Sequence, residues 1–115
     1  MQRLPRLFLV GVLCLAASGD TAADELRPLR FETAVRPILK AHCFQCHGED
    51  SKFKGDLDLR LRRLILEGGE HGPAIVAGQP NKSLLLQNIR NGKMPKGQAK
   101  LANEDIARIS EWITQ

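Results

Sequence analysis

Large side chains are scarce in this sequence. Its 115 residues include four Phe, one Trp and no Tyr. A small domain with so little aromatic volume usually draws stability from a disulfide, a metal or a cofactor. Cysteine is scarce as well, limited to Cys14, Cys43 and Cys46. The last two lie three positions apart, so a bond between them staples almost nothing and offers no disulfide framework. Methionine occurs twice, as the first residue and as Met94. No apolar run approaches the roughly 20 residues that a membrane-spanning helix needs. The net charge of +4 is modest, and aromatics do not interleave with the basic residues, which excludes a nucleic-acid-binding stripe. The length leaves room for one domain and excludes a multidomain enzyme. A hydrophobic fraction of 43% and the absence of repeats exclude a disordered or fibrous chain.

Residues 1–23 read as a secretory signal. Arg3 and Arg6 form a positive start, Leu7–Ala17 an eleven-residue apolar run, and Thr21-Ala22-Ala23 a small-residue cleavage site. A lipoprotein signal would place a small residue before its cysteine, whereas Leu13 precedes Cys14. The expected mature domain is therefore 24–115, in a periplasmic or otherwise exported protein without a transmembrane segment.

The mature part reads as all-α, three to five helices with loops between them. Phe31, Ala34, Val35, Ile38 and Leu39 share one helical face, with Pro37 either kinking that helix or marking a start near Arg36. Asp58 is a fair N-cap for a helix over Leu59–Glu67 that stops at Gly68-Gly69. Strict alternation occurs only over Leu57–Leu61, too short to read as a strand. Gly72–Gly78 is a breaker-bounded loop with two apolar residues to tuck inward. Gln79-Pro80-Asn81 opens a helix over Lys82–Asn91, ended by Gly92. Asn103 caps the last helix, with Glu104 and Asp105 in its first turn and Ile106, Ile109, Trp112 and Ile113 on its buried face. Trp112 is expected to be core, packed against Phe31 or Ile38.

Chemistry is concentrated in Cys43-Phe44-Gln45-Cys46-His47. C-x-x-C-H in an exported chain is the attachment signature of a c-type haem. Residues i and i+3 share a helix face, where two thiols can add to the two vinyl groups of one porphyrin edge. His47, next in sequence, then offers its imidazole to the iron as the proximal ligand. A zinc site would need a fourth donor, for which only His71 is at hand, at a spacing typical of no zinc motif. A dithiol redox pair would follow a strand in a βαβ unit, which is absent. One covalently attached haem c is the expected cofactor.

His42 adjoins the attachment site on the proximal side and cannot reach over the ring. The remaining candidates for the sixth iron ligand are Met94 and His71, or the position is open. Met94 is favoured: it sits in the loop Asn91–Gly97 among Lys, Gly and Pro, with no helical stripe to which it could belong. A ligating His normally donates its other ring N–H to a carbonyl. Pro73, in the rigid Gly72-Pro73 step, is the candidate acceptor.

Phe31–Trp112 resembles the class I cytochrome c fold and, more narrowly, the planctomycete-type cytochrome c domain. The likeness rests on Val35–Leu39, His42–Gly48, Lys54–Leu59, Gly72–Pro80, Ser83–Leu86, Met94-Pro95 and Glu104–Ile113. It implies a globule with crossed terminal helices and His/Met ligation. It also implies that the Gly-Pro carbonyl holds the proximal His, which supports the role of Pro73. Similar domains usually carry a second Pro after Met-Pro; Lys96 stands there instead, and a looser distal loop is expected.

The function expected is one-electron transfer between redox partner proteins, not catalysis, by a monomer. His/Met ligation occupies both axial positions, and no paired carboxylates or nucleophile–base pair can be read. Lys93, Lys96 and Lys100 around Met94 are expected to steer the protein to an acidic partner. The alternative is a haem-based gas-binding or sensing module with a displaceable sixth ligand.

Overall fold

In the computed structural model the described residues are 27–115, so the expected signal segment 1–23, with Cys14, lies outside them. Every regular element among the described residues is helical: α1 (Arg36–His42), α2 (Arg62–Glu67), α3 (Leu84–Arg90) and α4 (Asn103–Thr114). A π-helical turn, Phe31–Val35, leads into α1, and 3₁₀ turns occupy Lys54–Asp56 and Pro80–Lys82. An isolated bridge joins Gly69 and Gly72, and the described residues contain no strand. The all-α expectation therefore holds, and no described helix is long and apolar enough to cross a membrane.

Pro37 explains the change of winding at the start. It has no N–H to donate, so the helical ladder cannot run uniformly through it. One residue earlier, the Arg36 N–H reaches back five residues to the Phe31 carbonyl, and α-helical geometry begins there. A π-bulge of this kind absorbs the missing bond without ending the helix.

Three helix starts differ from the sequence reading. Helix α2 begins at Arg62 rather than Leu59: Leu61 is still extended, at φ −130° and ψ 141°. The Asp58 carboxylate accepts the Arg60 N–H at 3.0 Å and pairs with the Arg60 guanidinium without a helical turn following it. Helix α3 begins at Leu84 rather than Lys82. Buried Ser83 adopts an extended backbone, and its hydroxyl accepts the Val76 N–H at 3.0 Å and donates to the Gln79 carbonyl at 3.0 Å. Asn103 is the first residue of α4 and not its cap; Ala102 holds that position without a side-chain bond. In the first two cases a side chain suited to local capping is occupied elsewhere.

The core runs through both ends of the domain. Phe31, Val35, Ile38 and Leu39 are buried on one side, and Ile109, Trp112 and Ile113 on the other. The Phe31 and Trp112 rings meet at 5.2 Å between centroids, the tilted geometry that aromatic pairs favour. Helix α4 also packs on α3 and on the Pro80–Lys82 turn. Ala74 and Ile75 are the loop residues that tuck inward.

Candidate functional site

The end of α1 prepares the site. The Cys43 N–H donates to the Leu39 carbonyl at 2.8 Å, and the His47 N–H donates to the Cys43 carbonyl at 2.9 Å. Cys43–His47 thus makes one further turn, with buried Phe44 anchoring it to the core. Cys43, Cys46 and His47 all line a single cavity of about 350 Å³.

Backbone hydrogen bonds assemble the wall that carries His47. The Cys46 carbonyl accepts the Lys54 N–H at 3.0 Å, and the His47 carbonyl accepts the Leu59 N–H at 2.9 Å. The Gly55 carbonyl accepts the Glu70 N–H at 2.9 Å, which joins the 69–74 turn to the same wall. This turn depends on Gly68, at φ +77°, where an added Cβ would lie 1.9 Å from the Gly72 carbonyl oxygen. The Leu85 N–H donates to the Ala74 carbonyl at 2.9 Å and brings in α3. Beyond α3, the Met94 N–H donates to the Asn88 carbonyl at 3.0 Å and fixes the loop that bears the methionine.

Met94 and Pro95 line the cavity with the two cysteines and His47, and so do His42 and His71. The structure therefore brings together every expected iron ligand and thioether-forming residue, and it also brings His71 to the same space. Pro73 is exposed and outside the lining. The bond expected from His47 to its carbonyl is not formed: Nδ1 of His47 is buried and has no hydrogen-bond partner. A buried polar atom without a partner costs about 1–3 kcal/mol and calls for an explanation from the site's chemistry. Here it marks an imidazole held between the protein and an apolar cavity, with no protein acceptor orienting it.

Burial, followed by the neighbouring Cys46, pushes the Cys43 thiol up to about 11. The raised value favours the protonated thiol in the metal-free chain. Among the described residues no three His, Cys, Asp or Glu side chains gather closely enough to hold a metal ion by themselves. The chain's residues instead fit a flat apolar ring with one edge at the cysteines. Leu57, Leu59, Ala74, Leu85 and Ile89 line the cavity with apolar side chains, and His47 and Met94 bring an imidazole and a thioether to it.

Leu57 and Leu59 were the lining residues most open to detection from sequence. Their alternation with Asp56, Asp58 and Arg60 signals an extended segment with an inner face, although no partner strand exists. Asn88, Glu70 and Gln98, which also line the cavity, carry no local signal of that role.

The hydrogen bonds from the Arg60 guanidinium hold the Asp58 carboxylate below its ordinary value of 3.8. A depressed folded-state value contributes stability that is present above 3.8 and is lost as pH falls through the lower folded-state value. Asp58→Asn is expected to destabilise the protein at neutral pH by about 1 kcal/mol. It should also flatten the acid limb of stability against pH, as followed by urea denaturation at a series of pH values.

A helical globule in which two cysteines, a histidine and a methionine line one apolar cavity has the organisation of a haem-binding domain of the cytochrome c class. Residues 43–98 match the family model described as Planctomycete cytochrome C, which supports a cytochrome c domain of that type. That family implies covalent haem c, and both Cys43 and Cys46 lie in the matched segment. The match leaves out α1 and α4, the helices whose packing closes the domain. No curated protein and no solved structure matches the chain.

Proposed function

We propose that this protein is an exported, mono-haem, one-electron carrier in which Cys43 and Cys46 hold the haem and His47 and Met94 are its axial ligands. The observation that carries this reading is the convergence of these four residues, from the two ends of the matched segment, on one apolar cavity. Bound there, haem c supplies a centre that exchanges one electron reversibly.

The chain's contribution is binding, orientation and exclusion of water. Cys43 and Cys46 fix one edge of the ring. The His47 imidazole and the Met94 thioether would hold the iron of a bound haem, and the soft thioether would favour the reduced state and raise the potential. Leu57, Leu59, Ala74, Leu85 and Ile89 keep the ring dry, which acts in the same direction. Glu70 is the one carboxylate in the lining, so paired acid–base chemistry has no second member there. These features favour a carrier over an enzyme.

Charge supports an acidic partner. From His71 to Asn103 the sequence contains no Asp or Glu, yet it contains Lys82, Arg90, Lys93, Lys96 and Lys100. Lys93, Lys96 and Lys100 are exposed, and Lys96 lies in the cavity lining beside Met94. Raising the ionic strength from low to about molar is expected to slow electron transfer to the physiological partner by about tenfold or more. Stopped-flow rates across a salt series check this, and a salt-independent rate would remove the steering role.

The central test is a pyridine haemochrome spectrum with the intact mass of protein matured with haem-attachment machinery. One haem per chain is expected, on a polypeptide starting near Asp24; a matured protein lacking haem would overturn the proposal. Carbon monoxide should bind the reduced protein slowly or not at all. Rapid binding would instead favour the gas-sensing alternative.

A further inference from the structure

We infer that Asp58 and Arg60 form a positioning pair that braces the backbone of His47 from the side facing away from the cavity and thereby strengthens the bond from its imidazole to iron; the inference rests on reading His47 as the proximal ligand. The extended segment 57–60 has two faces. Leu57 and Leu59 line the cavity, whereas Asp58 and Arg60 do not. The segment is tied directly to the ligand, because the Leu59 N–H donates to the His47 carbonyl at 2.9 Å. Whatever holds segment 57–60 therefore holds the His47 main chain.

Arg60 is the centre of that hold. Its guanidinium meets both oxygens of Asp58, with Nε at 3.0 Å from Oδ1 and a terminal nitrogen at 2.7 Å from Oδ2. The fork is held in one plane at 5.3 Å over the Phe53 ring. Its aliphatic stem covers Gly48, the residue after His47: a Cβ there would lie 2.7 Å from Cγ and 3.0 Å from Cδ of Arg60. Its carbonyl accepts the Arg36 Nε–H at 3.1 Å, and the Arg36 guanidinium lies 5.5 Å from the centre of the Phe44 ring, inside the attachment turn. The brace thus links α1, the attachment turn and the loop after it. Such a brace matters most where the ligand lacks other support, and Nδ1 of His47 has no protein acceptor.

The pair is tested in the matured, haem-loaded protein carrying Met94→Ala, so that the distal position is open. Nitric oxide added to the reduced protein weakens the opposite bond, and absorbance and spin resonance give the ratio of six- to five-coordinate nitrosyl. Disturbing groups that support a metal ligand typically weakens the metal bond about 10- to 100-fold. Asp58→Asn and Arg60→Ala are each expected to lower that ratio about tenfold. Gly48→Ala, which displaces the Arg60 stem and leaves both charges in place, should act in the same direction. Arg60→Lys, which keeps the charge and loses the fork, should fall between parent and Arg60→Ala. Ile113→Val, in the core away from the cavity, serves as a destabilised control whose ratio should equal the parent's. Unchanged ratios in Asp58→Asn and Arg60→Ala would overturn the positioning role, as would an equal change in Ile113→Val. If Arg60→Ala fails to mature, Gly48→Ala and Arg60→Lys decide the question by the same ratio. A parent protein with no histidine–iron bond would instead sink the reading of His47 itself, a result distinguishable from either.

Discussion

Replacing Cys43 and Cys46 together with Ala is expected to give a chain that matures without colour and is largely unfolded. The described core is built from Leu, Ile and Val side chains with few aromatics, and a cavity of about 350 Å³ lies inside it. At about 24 cal/mol per Å³, leaving such a space unfilled forfeits at most about 8 kcal/mol. A domain of this size has a total stability of about 5–15 kcal/mol, so that loss is comparable to the whole. The cavity walls also meet through few regular elements. Between segments 43–60 and 68–74 the backbone makes one hydrogen bond, from the Glu70 N–H to the Gly55 carbonyl. Far-ultraviolet circular dichroism and denaturant unfolding check this. Helix content and a cooperative transition equal to those of the loaded parent would show that the protein chain closes its own core.

Met94→Ala should leave the haem attached and change its electronic character. The oxidised parent is expected to show the far-red sulfur–iron charge-transfer band, and the variant should lose it. Removal of the thioether should lower the reduction potential on the order of 0.1 V, within the wide range over which axial ligands set it. Carbon monoxide should then bind the reduced variant readily. Among the described residues His71, which lines the same cavity, competes for this position. If the parent lacks the band, and His71→Ala moves the potential where Met94→Ala does not, the sixth ligand is His71. The loop that bears Met94 is fixed by its own N–H, bonded to the Asn88 carbonyl at 3.0 Å, and by the Lys93 N–H, bonded to Asn91 Oδ1 at 3.0 Å.

Much of the site could be read along the chain because its central chemistry is local. Two thiols and an imidazole within one turn need no long-range information, and neither does the isolation of Met94 among loop residues. The closing helix was also legible. Ile106, Ile109, Trp112 and Ile113 recur at helical spacing, and Trp112 meets Phe31 as a bulky side chain on a facing stripe should. Misreadings fell on capping and on polar partners. Asp58 and Asn103 have the chemistry of an N-cap and neither holds that position, while Ser83 holds it at α3 without a side-chain capping bond. Asp58 is drawn to the Arg60 fork, and Ser83 to two loop backbone groups. A short polar side chain has several competing partners of similar energy, and which one wins depends on groups brought near by the rest of the fold. The same holds for Nδ1 of His47, whose expected partner at Pro73 sits in a turn pinned by the approach of Gly68 to Gly72.

Sequence alone determined the helical class, the turn that carries Cys43, Cys46 and His47, the last helix and the short set of candidate metal donors, because each follows from spacing within a few turns of chain. Tertiary structure decided where those residues meet, which carbonyls and carboxylates are occupied, and that the segment after the attachment turn is braced from behind by Asp58 and Arg60. Those outcomes depend on distances between residues far apart in sequence, and such distances are set only when the walls pack together.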